Sequence, residues 1–186
     1  MSQIDYSQPD FYHFNEDSIR FSEFVVSNFS NLGVRSLFDI CCGCGVIGLE
    51  IARKIEGMER LDFLDLQKEF LPFLEKNISQ MIPDIETSVY ISDFRSFENS
   101  KDYDLIVANP PYFKKGAGRL SPDKNKQNCR TFMEGDIHHF CNSLLYYKTK
   151  DNEILFVYPK GLEKKISYIH QVEQIHSDVC IYTITT

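Results

Sequence analysis

No stretch of this sequence approaches the roughly eighteen consecutive apolar residues that a membrane-spanning helix requires. The opening decapeptide, Met1 to Asp10, lacks the basic-then-apolar order of a secretory signal. A cytoplasmic protein with no membrane partner is expected. There is no second Cys-x-x-Cys beside Cys41-Cys42-Gly43-Cys44, so the usual zinc spacing is missing and no metal is expected. Six cysteines, three of them crowded into four positions, make a poor disulfide framework and would stay reduced in the cytosol. Internal repeats and low-complexity tracts are absent. Positive charge is scarce overall, with 20 Lys and Arg against 27 Asp and Glu and a net charge of −7. That balance argues against a general affinity for nucleic acid.

The charge is unevenly spread. Between Phe113 and Arg130 stand Lys114, Lys115, Arg119, Lys124, Lys126 and Arg130 against Asp123 alone, a local balance of +5 that leaves −12 for the rest. A solvated loop would explain this, and so would a surface for phosphates. At 186 residues, 42% hydrophobic and 25% charged, the chain suits one globular domain, 1–186. Strands are predicted at about Val34–Ile40, Arg60–Leu66, Val89–Ile91, Leu105–Ala108, Glu153–Tyr158 and Asp178–Ile184. Helices are predicted from Asn15 or Asp17 to Phe29, and over Val46–Ile55, Lys68–Met81, Glu134–Tyr147 and Gly161–Val172. The alternation predicts an α/β fold with a mostly parallel, doubly wound sheet. Residues 1–30 form an N-terminal lid or helix region. Its aromatic-rich part, Tyr12 to Phe14, would either cover a ligand or pack on the sheet edge. Residues 113–133 form a basic substrate loop, whose Gly116, Gly118 and Pro122 suggest a mobile insertion.

Four strand ends carry candidate chemistry. After the first, Asp39-x-Cys41-x-Gly43-x-Gly45 opens a helix, the geometry of a nucleotide-binding turn. Gly48 also permits a dinucleotide version of it, and a Gly-rich turn is weak by itself. Asp65, about 20 residues on, could accept from ribose hydroxyls. Asp93 could accept from an adenine amino group, with Phe94 beside the ring. Both acids could equally be helix caps or ordinary loop residues. The fourth strand ends at Asn109-Pro110-Pro111-Tyr112, where two prolines stop the ladder and stiffen the turn. The Asn109 amide oxygen and the Pro110 carbonyl can both accept from an amino group, and Tyr112 offers a face for a planar ring.

Asn109 to Tyr112 after a strand resembles the signature of amino-directed methyltransferases that use S-adenosylmethionine. The Asp39–Gly45 stretch resembles their first motif, with Cys41 in place of the first glycine, where a positive φ would strain it. The longer run Asn109 to Pro122, with Cys129-Arg130 and Glu134, is similar to bacterial tRNA adenine-N6 methyltransferases, as are Gln8-Pro9, Tyr12, Phe14 and Asp17-Ser18. The resemblance implies a Rossmann-like class I methyltransferase fold and a tRNA partner. It implies Asn109, Pro110 and Tyr112 as catalytic residues. Asp39, Cys41, Gly43, Gly45, Asp65, Asp93, Phe94 and Asn109 would bind S-adenosylmethionine. Pro111, Phe113, Lys114, Lys115, Arg119 and Arg130 would bind substrate. Two other outcomes stay open: a protein glutamine-N5 methyltransferase, which would not need the basic loop, and a non-catalytic module of the same fold. Only one strand is legible after the fifth, so the C-terminal hairpin is expected to be incomplete. That would leave an open sheet edge, with marginal stability or a partner there.

Overall fold

The computed structural model describes residues 5–98, 100–113, 121–132 and 135–185. Seven strands form one sheet: β1 (Ser36–Ile40), β2 (Arg60–Asp65), β3 (Glu86–Ile91), β4 (Leu105–Ala108), β5 (Glu153–Pro159), β6 (Ile169–Gln174) and β7 (Val179–Ile184). Their order is β3-β2-β1-β4-β5-β7-β6. The first five in that order are parallel, and β7 runs antiparallel to both its neighbours. The sequence-based expectation of an α/β, mostly parallel sheet agrees with this architecture.

The central strands read as unbroken apolar runs because both faces are covered. Side chains alternate between two cores. Leu37, Leu61, Phe63, Leu105, Val107, Leu155 and Val157 meet α1 (Glu16–Phe29), α2 (Val46–Ala52) and α3 (Leu71–Met81). Phe38, Ile40, Ile106, Ala108, Ile154 and Phe156 meet α5 (Ile137–Tyr147). A short helix, α4 (Lys124–Asn128), lies within the basic segment and is capped by Asp123, which accepts from the amides of Asn125 and Lys126. Pro72 sits in the first turn of α3, where its missing N–H costs nothing.

The C-terminus differs from expectation. Gly161–Val172 is not a helix: residues 161–168 form turns, and Ile169 begins β6. The buried Leu162 and Ile166 imitate helical spacing, but their hydrogen bonds close isolated turns (Lys165 N–H to Leu162 O, 2.9 Å; Ile169 N–H to Ile166 O, 3.2 Å). β6 escaped notice because only Ile169 on it is buried; the rest, His170 to Gln174, is exposed and shows no alternation. The hairpin is therefore complete, and β6 covers the edge of β7 that was expected to lie open. A bulge between Gln171 and Glu173 and a polar sequence blunt the new outer edge.

Candidate cofactor and substrate site

The carboxyl ends of β1, β2, β3 and β4 open on one cavity of about 990 Å³, open solvent at its mouth included. It lies where the chain leaves β1 in one direction across the sheet and β4 in the other, the switch point at which open α/β sheets bind ligands. Ile40 pairs with Ala108 in register, so Cys41 and Asn109 leave the sheet side by side.

The turn after β1 is held in shape by glycines and by Asp65. Cys41 has φ 59°, and among the described residues it is the only non-glycine in the left-handed region. The strain anticipated for it is therefore present. Gly43 and Gly45 follow at φ 53° and 80°. At Gly45 a Cβ would stand 2.5 Å from Leu74 Cδ1, so no other residue fits without displacement. The Gly43 N–H donates to Asp65 Oδ2 (2.8 Å), and the Gln67 N–H donates to Asp65 Oδ1 (2.9 Å). One carboxylate thus ties the turn after β1 to the turn after β2. Burial raises the Asp65 pKa against these amide donors.

Asp39 stands behind the cavity wall. It is fully buried, and its Oδ2 accepts from the Gly48 N–H (2.9 Å). A Cβ at Gly48 would lie 2.9 Å from that oxygen, so the glycine lets α2 press directly on β1. Desolvation lifts the Asp39 carboxyl to about 7, against the Gly48 amide and with the Asp65 charge adding to it. Gly45, Pro110 and Tyr112 also stand off the wall. Cys41, Gly43, Asp65, Asp93, Phe94, Asn109 and Pro111 line it.

The Asp93 carboxylate is already gripped by Arg95, whose Nε reaches Oδ1 at 2.9 Å, and that guanidinium lowers its pKa. The Tyr112 ring packs edge-on against Tyr158 (5.6 Å), whose hydroxyl donates to the Tyr112 carbonyl (3.2 Å). Phe113 is 48% exposed and bridges the two ends of the basic segment, donating its N–H to Arg130 O and accepting from the Phe132 N–H (2.9 Å each). Arg130 is exposed. Lys114, Lys115 and Arg119 lie outside the described residues.

The N-terminal segment supplies Gln8, Tyr12, Phe14 and Ser18 to the wall. The segment is irregular up to Asn15, and α1, which carries Ser18, packs on α2. Tyr6 donates to Glu50 (2.6 Å), and Asn77 bridges Ser7 and Cys44. Phe11 and Tyr12 sit against Phe70, 5.3 and 5.7 Å between ring centroids.

Sequence reasoning missed several wall residues: Gln67, Phe70, Asn128, Thr131 and Phe132. Gln67 carried no signal beyond its place two residues after Asp65. Cys129 was noticed for its resemblance, but not as a wall residue. All six cysteines are free, and burial raises their pKa values, to about 12 for Cys44 and about 11 for Cys129, so they stay as thiols. Among the described residues no group of three or more His, Cys, Asp or Glu side chains converges as a metal site, and no helix is long and apolar enough to cross a membrane.

The family model for the methyltransferase small domain matches residues 14–122, which takes in α1, the Gly-rich turn and the Asn109–Tyr112 turn. The chain belongs to the methyltransferase small domain family. It is 25% identical over 104 residues to the tRNA1(Val) (adenine(37)-N6)-methyltransferase of Escherichia fergusonii, covering 55% of this chain and 42% of that protein. The enzyme of the same name from Tolumonas auensis is 29% identical over 127 residues, covering 68% and 52%. The chain thus spans about half the length of these curated relatives. In fold it is similar to the ribosomal protein L11 methylase of Lactobacillus delbrueckii, with a TM-score of 0.65 and 12% identity over 93% of this chain and 80% of that one. It also resembles coclaurine N-methyltransferase bound to S-adenosylhomocysteine, with a TM-score of 0.55 and 15% identity over 82% and 39%.

The methyltransferase small domain chain takes S-adenosylmethionine as its cofactor, and the cavity's chemistry fits that molecule. Left-handed backbone at Gly43 keeps the turn's surface bare, since even an added Cβ there would reach only the Phe70 ring, at 3.8 Å. The Asp65 carboxylate stands at the end of β2 facing the cavity, and the Phe94 and Phe132 rings offer planar contacts.

Proposed function

We propose that this methyltransferase transfers a methyl group from S-adenosylmethionine to the N6 amino group of an adenine in RNA, with a cytoplasmic tRNA near its anticodon as substrate. The observation that carries the reading is that Asn109 and Pro111 line the same cavity as the Cys41–Cys44 turn. An amino group held at the first is within the same enclosure as a cofactor held at the second. The exposed cations of the 121–130 stretch, Lys124, Lys126 and Arg130, support a phosphate-bearing substrate. The two tRNA-modifying relatives support it as well.

Bound S-adenosylmethionine supplies an electrophilic methyl group on a sulfonium. The Cys41–Cys44 backbone and Asp65 hold the cofactor, Asp93 and Phe94 address its adenine, and Asp39 and Gly45 shape the turn from behind. The Asn109 side-chain oxygen and the Pro110 carbonyl accept from the substrate amino hydrogens, which aims the nitrogen lone pair. Tyr112 steadies the turn and, where the base enters, contributes an aromatic face. The target base leaves its stack to reach the cavity. Positioning supplies much of the rate.

The test is transfer of a labelled methyl group into tRNA from cells lacking this protein, followed by digestion and a search for N6-methyladenosine. Asn109→Ala is expected to lose transfer by about a hundredfold while S-adenosylhomocysteine affinity stays within about twofold. Equal loss of both would remove Asn109 from the acceptor role. Methyl transfer into protein glutamine instead of RNA would replace the substrate.

A further inference from the structure

Gln67 is 93% withdrawn from solvent, at 7% exposure, and lines the cavity. Its two amide atoms are unequally served. Nε2 donates to Cys129 Sγ at 3.2 Å, whereas Oε1 is buried with no partner. The neighbouring network sets that orientation. The Cys129 thiol donates to the Asn125 carbonyl (3.1 Å), which leaves its sulfur as an acceptor and calls for an N–H from Gln67. An acceptor left without a partner inside a protein costs about 1–3 kcal/mol. Such a group calls for a partner, and Gln67, unlike Asp39, Arg60 and Glu163 with their own unserved atoms, lines the cavity where a ligand would supply one.

Each oxygen of Asp65 takes one backbone amide and keeps one acceptor site, so a second acceptor beside it would share the load of a diol. Gln67 follows it by two residues on the same rim. The terminal torsion of a glutamine is soft, so the amide can adjust to a ligand in the cavity that Gln67 lines. Cys129 in turn closes α4, its N–H donating to Asn125 O (3.1 Å), and in sequence it directly precedes the bridge that carries Phe113, where Thr131 N–H donates to Gln127 O (3.0 Å) and Phe132 N–H to Phe113 O (2.9 Å).

We propose that Gln67 is a positioning residue that links the cofactor to the substrate-side segment. Its Oε1 accepts from a ribose hydroxyl of S-adenosylmethionine, and its Nε2 passes that occupancy to Cys129 and the 121–132 stretch. The inference rests on the cofactor alone and not on RNA as substrate. Empty, the amide serves one side only. With the cofactor bound it is held at both ends, and the 121–132 stretch is held with it.

Two measurements test this without any substrate. Calorimetric titration with S-adenosylhomocysteine is expected to show Gln67→Met, matched in length and free of both amide atoms, binding about tenfold more weakly than the parent. For the analogue lacking the contacted hydroxyl, either the 2′-deoxy or the 3′-deoxy compound, that difference should shrink to within twofold. Gln67→Asn, which withdraws the amide by one methylene, should follow Gln67→Met. In the second measurement, saturating S-adenosylhomocysteine should slow hydrogen exchange of the Thr131 and Phe132 amides in the parent. It should leave those rates unchanged in Gln67→Met and in Cys129→Ala. Parent-like affinity of both Gln67 variants would overturn the cofactor contact. Equal slowing in parent and variants, or none in the parent, would overturn the link. Failure of RNA methylation would touch neither result.

Discussion

At the level of single residues, Cys41 shows how a motif departure becomes a physical quantity. The sequence placed a cysteine where related turns carry glycine, and the backbone there is left-handed at φ 59°. An L-residue in that region costs about 1–2 kcal/mol, while glycine would cost about 0.5–1 kcal/mol in lost unfolded-chain freedom. Cys41→Gly should therefore raise stability by about 0.5–1 kcal/mol, read as a higher urea midpoint with an unchanged slope. Gly45→Ala should do the reverse, losing about 2–4 kcal/mol, because a left-handed backbone and a 2.5 Å approach to Leu74 Cδ1 act together. Asp39 carries a pH signature. Burial lifts its pKa to about 7, so the folded chain keeps a proton that the unfolded chain has released above about 3.9. Stability should then fall as pH rises from about 4 to about 7 and level off above. Urea midpoints across that window should slope less for Asp39→Asn than for the parent, the Asp65 contribution remaining; identical slopes would mean that Asp39 does not titrate there. The acids and glycines at strand ends were legible because their spacing is tied to chain order. What each acid touches was not: Asp65 is occupied by two amides and Asp93 by Arg95, partners that spacing along the chain does not encode.

Among the elements, the strands buried on both faces were readable because apolar runs have no other economical home. β1, β2, β4 and β5 fall within a residue or two of their expected bounds. The edge strand β6 was unreadable for the complementary reason. Five of its six residues face water, so neither period nor composition marks it. Its presence is anchored by Tyr182 in β7, fully buried, whose hydroxyl accepts from the Leu162 N–H (3.3 Å) and donates to the Pro159 carbonyl (3.2 Å). That one group fastens the turn region that was expected to be helical. Tyr182→Phe should cost about 1–2 kcal/mol by leaving buried backbone groups unserved. Chemical denaturation checks the loss, and unchanged stability would mean that water replaces the hydroxyl.

For the molecule as a whole, the net charge of −7 and the local +5 of Phe113 to Arg130 act in opposition. On the proposed function, a polyanion should be repelled by most of the surface and received at one place, so RNA affinity should drop steeply with salt. Arg130→Ala should weaken binding about equally for all sequences and reduce the log–log salt slope by about 1; filter binding across a salt series measures both. An unchanged slope would place the phosphate contacts elsewhere.

The pairing of Ile40 with Ala108 has a consequence of a different kind. Neighbouring parallel strands stand about 4.8 Å apart, and each residue advances the chain by about 3.3 Å. The gap between the turn after β1 and the turn after β4, proposed above to receive methyl donor and acceptor, is thus a lattice constant of the sheet, needing no hinge to set it. Such a site is sensitive to counting. Inserting or deleting one residue in the four-residue β4 would shift Asn109 by a full step and turn it to the opposite face. Substitutions within β4 that preserve volume would leave the site where it is.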